Sequence, residues 1–134
     1  MRLLEVRLKV KAFSANRMYY RGKNKTREYL DYQNDIRDEL TGVEWPFKDN
    51  PVSFFVEVGL SNKRADLDNV LKPFLDTLQR VYEEFNDCRV YYIEAVKRIV
   101  PKGEEFIHFS VDLHSSTHIQ RKNKDEDKLQ PVSE

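Results

Sequence analysis

Strict alternation of apolar and charged residues from Leu4 to Ala12 constrains this chain more than any other feature. Leu4, Val6, Leu8, Val10 and Ala12 are separated by Glu5, Arg7, Lys9 and Lys11, the period of a β-strand with one wet face. Val52, Phe54, Val56, Val58 and Leu60 repeat the pattern with a more apolar character, which predicts a second strand.

The segments between and after these strands read as helices and further strands. Residues 13–26 form a polar loop, and Tyr29, Tyr32 or Gln33, Ile36 and Leu40 then recur at helical spacing over 26–41, with Gly42 closing the helix. The turn-rich run Trp45-Pro-Phe-Lys-Asp-Asn-Pro51 precedes the second strand. Beyond Ser61–Ala65, Val70, Leu71, Phe74, Leu75, Leu78, Val81 and Tyr82 recur at three and four, the stripe of a core helix. Pro73 is tolerated in a first turn, so the regular helix begins near Val70 or is irregular at its entrance. Either way, Asp66 and Asp68 fall at the cap or in the loop before it. Residues 89–99 form a third strand, 101–104 its turn, and Ile107, Phe109, Val111 and Leu113 mark a fourth.

The expected fold is α/β (α+β): a small mixed sheet of about four strands with two main helices, in the order β-α-β-α-β-β. A chain of 134 residues with 40% apolar content supports one domain, expected over 1–114. Residues 115–134 lack apolar period and are expected to form a disordered tail. No internal repeat is present.

Twenty-three basic and 23 acidic residues cancel, so any case for nucleic acid rests on where the charges lie. The single cysteine, Cys88, excludes an intrachain disulfide framework and a Cys-rich zinc site. It suits a reducing cytoplasm and is expected as a small buried or half-buried residue. No window approaches the roughly 20 apolar residues of a membrane span, so a soluble cytoplasmic protein with no membrane partner is expected. His108, His114 and His118 lack zinc-motif spacing and are expected at the surface.

Arg64-Ala-Asp66-Leu-Asp68-Asn69-Val-Leu-Lys72-Pro-Phe-Leu-Asp76 concentrates charge at the mouth of an apolar helix, which is costly unless water, a partner or a metal satisfies it. Asp66 and Asp68, one residue apart, can converge where the backbone curls into a helix and offer hard oxygen ligands to Mg²⁺. Asp-x-Asp before a helix also serves as a cap and turn. Asp87 is available as a third carboxylate, although spacing does not fix whether it reaches the helix entrance. Lys72 shares a helix face with Asp68 and offers an ammonium to a phosphate; an ion pair on a wet face is the plainer alternative. Arg17, Arg21, Lys23, Lys25 and Arg27 lie in a stretch without an acid from 13 to 27, interleaved with Tyr19 and Tyr20. Such a segment can neutralise phosphates while its aromatics stack on bases. Lys97, Arg98 and Lys102 are candidates for a second contact.

The run from Arg64 to Leu78, followed by Asn86-Asp87-Cys-Arg-Val90, resembles the signature of the RusA-type Holliday junction resolvases of bacteria, phages and prophages. Ser14-Ala-Asn16-Arg17-Met-Tyr19 is similar to the Ser-x-Asn-Arg segment after the family's first strand, and the matches run in order over residues 4–113. The resemblance implies a homodimeric, Mg²⁺-dependent endonuclease, with Mn²⁺ as a plausible substitute, that resolves four-way DNA junctions by paired nicks in recombination and repair. It implies that Asp66, Asp68 and Asp87 are catalytic and hold metal, that Lys72 is catalytic, and that Asn69 and Asp76 support them. Asn16, Arg17, Arg21, Lys23, Lys25 and Arg27 are the corresponding DNA-binding candidates. Three departures stand out: Ala65 and Asn86 where the family often has proline and aspartate, and Ala12-Phe13 in place of a proline-rich entrance. Two alternatives follow, a non-catalytic dimer that binds branched DNA and a nuclease acting on other branched substrates.

Overall fold

The computed structural model describes residues 4–22 and 24–115, so residues 116–134 of the expected tail, with His118, and Lys23 lie outside the described residues. Its elements are β1 (Leu4–Leu8), β2 (Tyr19–Tyr20), β3 (Asn24–Lys25), α1 (Arg27–Glu39), β4 (Val52–Leu60), α2 (Leu67–Val81), β5 (Val90–Ile99) and β6 (Phe106–Leu113). Short 3₁₀ turns at Ala15–Arg17 and Asp87–Arg89 join them. The main sheet has the order β1-β6-β4-β5, and β2 and β3 form a separate ribbon. The β-α-β-α-β-β order and mixed sheet are as expected.

β4 is the central strand, parallel to β5 and antiparallel to β6. Its alternate residues Val52, Phe54, Val56 and Val58 are almost fully buried and join Leu8, Ile107, Phe109 and Val111 from the sheet with Tyr29, Ile36, Phe74 and Leu78 from the helices. The period of two and the period near 3.6 thus meet in one core. Thr26 caps α1 by accepting from the Tyr29 amide. No helix among the described residues is long and apolar enough to cross a membrane.

Three local features differ from the sequence reading. β1 ends at Leu8 rather than Ala12, although Val10 and Phe13 remain buried. The expected loop over 13–26 contains the β2–β3 ribbon, turned by Arg21 and Gly22, both at positive φ. α2 begins at Leu67 rather than Val70, which places Pro73 seven residues into the helix. Proline there removes the amide that the Asn69 carbonyl would accept from. Burial of Pro73 with Val70, Phe74, Thr77 and Leu78 offsets that loss.

The turn-rich run before β4 is pinned by aromatic packing. The Trp45 ring lies 4.7 Å from Phe85 and 5.0 Å from Phe47, and the Tyr82 hydroxyl donates to the Val43 carbonyl at 2.7 Å. This block holds the chain that leaves α2 toward Asp87. On the opposite sheet face, a Cβ at Gly59 would meet the Phe106 ring at 2.4 Å, and the Arg7 guanidinium covers that ring at 3.8 Å. Gly59→Ala must displace Phe106, and a loss of about 1–3 kcal/mol is expected in denaturant unfolding.

Candidate acidic site on helix α2

Asp66 is the N-cap of α2, yet its side chain makes no capping hydrogen bond. Among the described residues, its carboxylate is approached only by the Asn69 amide, at 3.4 Å. A cap aspartate ordinarily accepts from an amide in the first turn, so this oxygen pair is left for another ligand. Asp68 is exposed in that first turn, where the helix dipole favours negative charge. Among the described residues its side chain has no hydrogen bond or ion pair, and neither does the side chain of exposed Asp87.

The loop that delivers Asp66 is fastened to the sheet. Lys97 of β5 donates from Nζ to the Lys63 and Ala65 carbonyls, each at 2.6 Å. Lys97 therefore faces inward instead of offering a second DNA contact. Arg98 is similarly engaged with Glu57, whose carboxyl is held below the usual range chiefly by that hydrogen bond. Of the three candidates for a second contact, Lys102 keeps a free side chain among the described residues.

Lys72 pairs with Asp76 at 3.3 Å rather than with Asp68. Asp76 also receives Gln79 Nε2 at 3.4 Å, while Gln79 Oε1 accepts the Asp87 amide at 3.1 Å. Lys72, Asp76, Gln79 and the Asp87 backbone thus form a chain along one side of α2. Gln79 and Lys97 are positioning residues that sequence reasoning did not identify. A polar residue three after Asp76 was the only hint of the first, and an ammonium on a strand's core-side register was the hint of the second.

Parallel pairing decides where the third acid lies. Val52 of β4 is paired with Val90 and Leu60 with Ile99, so α2 returns the chain along the length of the sheet. Asp66 and Asp68 stand at the Leu60–Ile99 end, and Asp87 stands at the Val52–Val90 end. Asp68 and Gln79 are separated by about 16 Å along the helix axis at 1.5 Å per residue. Among the described residues, no group of three or more His, Cys, Asp or Glu side chains could hold a metal ion. Asp66 and Asp68 are together; one chain does not add Asp87 to them. Carboxylate oxygens such as those of Asp66 and Asp68 are the donor type that Mg²⁺ or Mn²⁺ takes, but within a single copy Asp87 does not join them.

The basic segment divides in a similar way. Arg21, Tyr19 and Tyr20 are exposed on the ribbon, with the tyrosines 46% and 53% accessible, and Asn16 is exposed beside them. Arg17 pairs with Glu28 and Arg27 with Asp31, each at 3.5 Å on the surface. Lys25 turns inward to buried Gln33 at 3.1 Å, where Arg80 also donates at 2.8 Å. Burial first, and the Arg80 charge second, make Lys25 less basic than an ordinary lysine. His108 and His114 are also less open than expected: His108 contacts Glu5 at 2.8 Å and His114 contacts Ser53 at 2.9 Å, both half-buried. Cys88 is exposed, contrary to its expected burial.

Lys97→Met removes a charged donor from two carbonyls. A stability loss of about 2 kcal/mol and faster amide exchange at residues 63–66 are expected, both measurable by hydrogen–deuterium exchange. Gln79→Met is expected to accelerate exchange of the Asp87 amide while leaving 63–66 protected. No protein-family model and no curated protein matches this chain.

Proposed function

We propose that this protein is a divalent-metal-dependent endodeoxyribonuclease that resolves four-way (Holliday) junctions by paired nicks in DNA recombination and repair. The observation that carries this reading is the pair Asp66 and Asp68 at the start of α2, neither engaged in helix capping, with Lys72 one turn further on. Mg²⁺ or Mn²⁺ bound there supplies an activated water and neutralises phosphate charge.

Each residue then has a physical task. Asp66, Asp68 and Asp87 are the metal-holding carboxylates, and Asn69 orients Asp66 through its amide. Asp76 holds the Lys72 ammonium, which stabilises the charge developing on the scissile phosphate. Asn16, Arg17, Arg21, Lys23 and Arg27 meet the DNA backbone, and Tyr19 and Tyr20 pack against unstacked bases near the branch point. Lys25 contributes indirectly, because its contact with Gln33 ties the ribbon to α1. Junction preference comes from the shape of a paired basic surface rather than from reading base edges, so the reading requires a homodimer. It is consistent with a cytoplasmic protein of phage or prophage origin.

A second reading, a non-catalytic dimer that binds branched DNA, is favoured by the separation of Asp87 from Asp66 and Asp68 within one chain. A labelled immobile junction, a flap and a linear duplex, each with Mg²⁺ and with EDTA, separate the readings. Paired Mg²⁺-dependent nicks in the junction support resolution, nicks mainly in the flap shift the substrate, and binding without cutting supports the inactive module. Asp68→Asn is expected to reduce junction cleavage by about 10²-fold or more while preserving junction affinity and thermal stability. Loss of fold with activity would make Asp68 structural. Arg21→Ala is expected to weaken binding to all branched substrates alike and to lower the salt slope by about 1.

A further inference from the structure

We propose that the cavity between α1 and the start of α2 is a binding site for a small organic cation with an apolar body, an arylalkylamine being the simplest case. The site stands apart from the nuclease reading and needs neither metal nor DNA.

The cavity has a volume of about 570 Å³, in the range of sites that enclose a small ligand. Val10, Phe13, Tyr32, Leu60 and Val70 supply its apolar lining, and all five are buried. Hydrogen bonds made by the wall segments themselves hold its shape. Ser14 accepts from the Asn16 amide at 3.2 Å, the Leu60 carbonyl accepts from the Val100 amide at 2.9 Å, and Ser61 donates to Glu105 at 2.7 Å. Lys97 fastens Ala65 on the remaining side. A ligand therefore meets a formed site and does not have to order one.

Charge around the cavity is unequal. Glu28, Asp31, Asp35 and Glu105 line it against Lys11 and Arg17. Arg17 answers Glu28 at 3.5 Å. Arg27, the ion-pair partner of Asp31, lies outside the lining, and Asp35 has no hydrogen bond or ion pair among the described residues. Asp31 and Asp35 stand four residues apart on α1, a spacing at which like charges repel. A cation seated beside both relieves that repulsion, whereas a phosphate adds to it. The rim thus disfavours a DNA backbone, in contrast to the exposed Arg21 on the ribbon.

Tyr32 points to a ligand independently of the acids. It falls between Asp31 and Asp35 in sequence and is 6% exposed, and its hydroxyl is buried with no hydrogen-bond partner. Buried hydroxyls are ordinarily satisfied, so one left open calls for a partner. Burial holds this phenol above its ordinary range and keeps it neutral, and a neutral phenol oxygen can accept from an ammonium. An uncharged apolar guest would leave the carboxylates unanswered, and a bare metal ion would leave the apolar lining unused. A cation carried on an apolar body uses both.

Occupancy also reaches the loop that delivers Asp66. Ser61, Asn62 and Ala65 belong to the cavity wall and lead directly into the N-cap of α2. A bound amine is expected to slow amide exchange over residues 61–65.

Titration of the ¹⁵N-labelled full-length chain with phenethylamine, phenethyl alcohol and 3-phenylpropionate tests the site, because the three probes share an apolar body and differ in charge. The amine is expected to give saturable amide shifts at residues 11–14, 31–35 and 61–65, with the alcohol binding about 10-fold more weakly and the carboxylate not at all. Added salt is expected to weaken the amine alone. Asp31→Asn combined with Asp35→Asn is expected to bring the amine down to the affinity of the alcohol. Asp35→Asn by itself, at an exposed position without a partner, is expected to weaken the amine about 3-fold and keeps the test decisive if the double variant fails to fold. No saturable shift with the amine, equal affinity for amine and alcohol, shifts centred outside the cavity, or an amine affinity unmoved by Asp35→Asn overturns the proposal. Each of these failures leaves the nuclease reading where it stood, since that reading is tested by metal-dependent cutting.

Discussion

Parallel pairing of β4 with β5 is the constraint on which the rest of the molecule depends. Two parallel neighbours cannot be joined by a tight turn, so the chain must travel back along the sheet before the second strand begins. Helix α2 is that return, fifteen residues long, and its two ends sit at opposite ends of the sheet. The acidic N-terminus is fastened by the Lys97 ammonium, and the far end by aromatic packing around Trp45 and Phe85 with the Gln79 contact to Asp87. Loss of the parallel register would move the acid pair and Asp87 together.

Polar side chains tie this frame to the basic ribbon. Buried Gln33 accepts from both Lys25 and Arg80, linking β3, α1 and α2 at one oxygen. Bringing two cations to one amide oxygen is tolerable because the Asp76 carboxylate lies close by and favours the Lys25 charge. The same carboxylate, after burial itself, helps push the Tyr29 hydroxyl up to about 12. Asp76 thus faces Lys72 on one side and the base of the ribbon on the other.

Much of the fold was legible in the chain because its periods are clean. The alternation in β4 and the apolar stripe of α2 each bury one face, and no competing register does so. The helix start was harder: Pro73 argued for an entrance near Val70, but packing of Leu67, Val70 and Phe74 extends the helix past the proline's missing amide. The β2–β3 ribbon escaped notice because two-residue strands have no detectable period. The placement of Asp66 and Asp68 at the entrance of α2 was readable from spacing, whereas the inward turns of Lys97 and Lys25 depend on what lies beside them in three dimensions. The position of Asp87 was unreadable for a specific reason, since local spacing does not say that β5 pairs parallel to β4.

The central claim is that Asp66, Asp68 and Asp87 act together as a divalent-metal site. Titration of ¹⁵N-labelled protein with Mn²⁺, followed by amide line broadening, tests it without requiring a substrate. Selective broadening of residues 66–69 together with 87–88, reversed by EDTA, is the predicted result. Broadening confined to one end of α2, or none up to millimolar Mn²⁺, would contradict it.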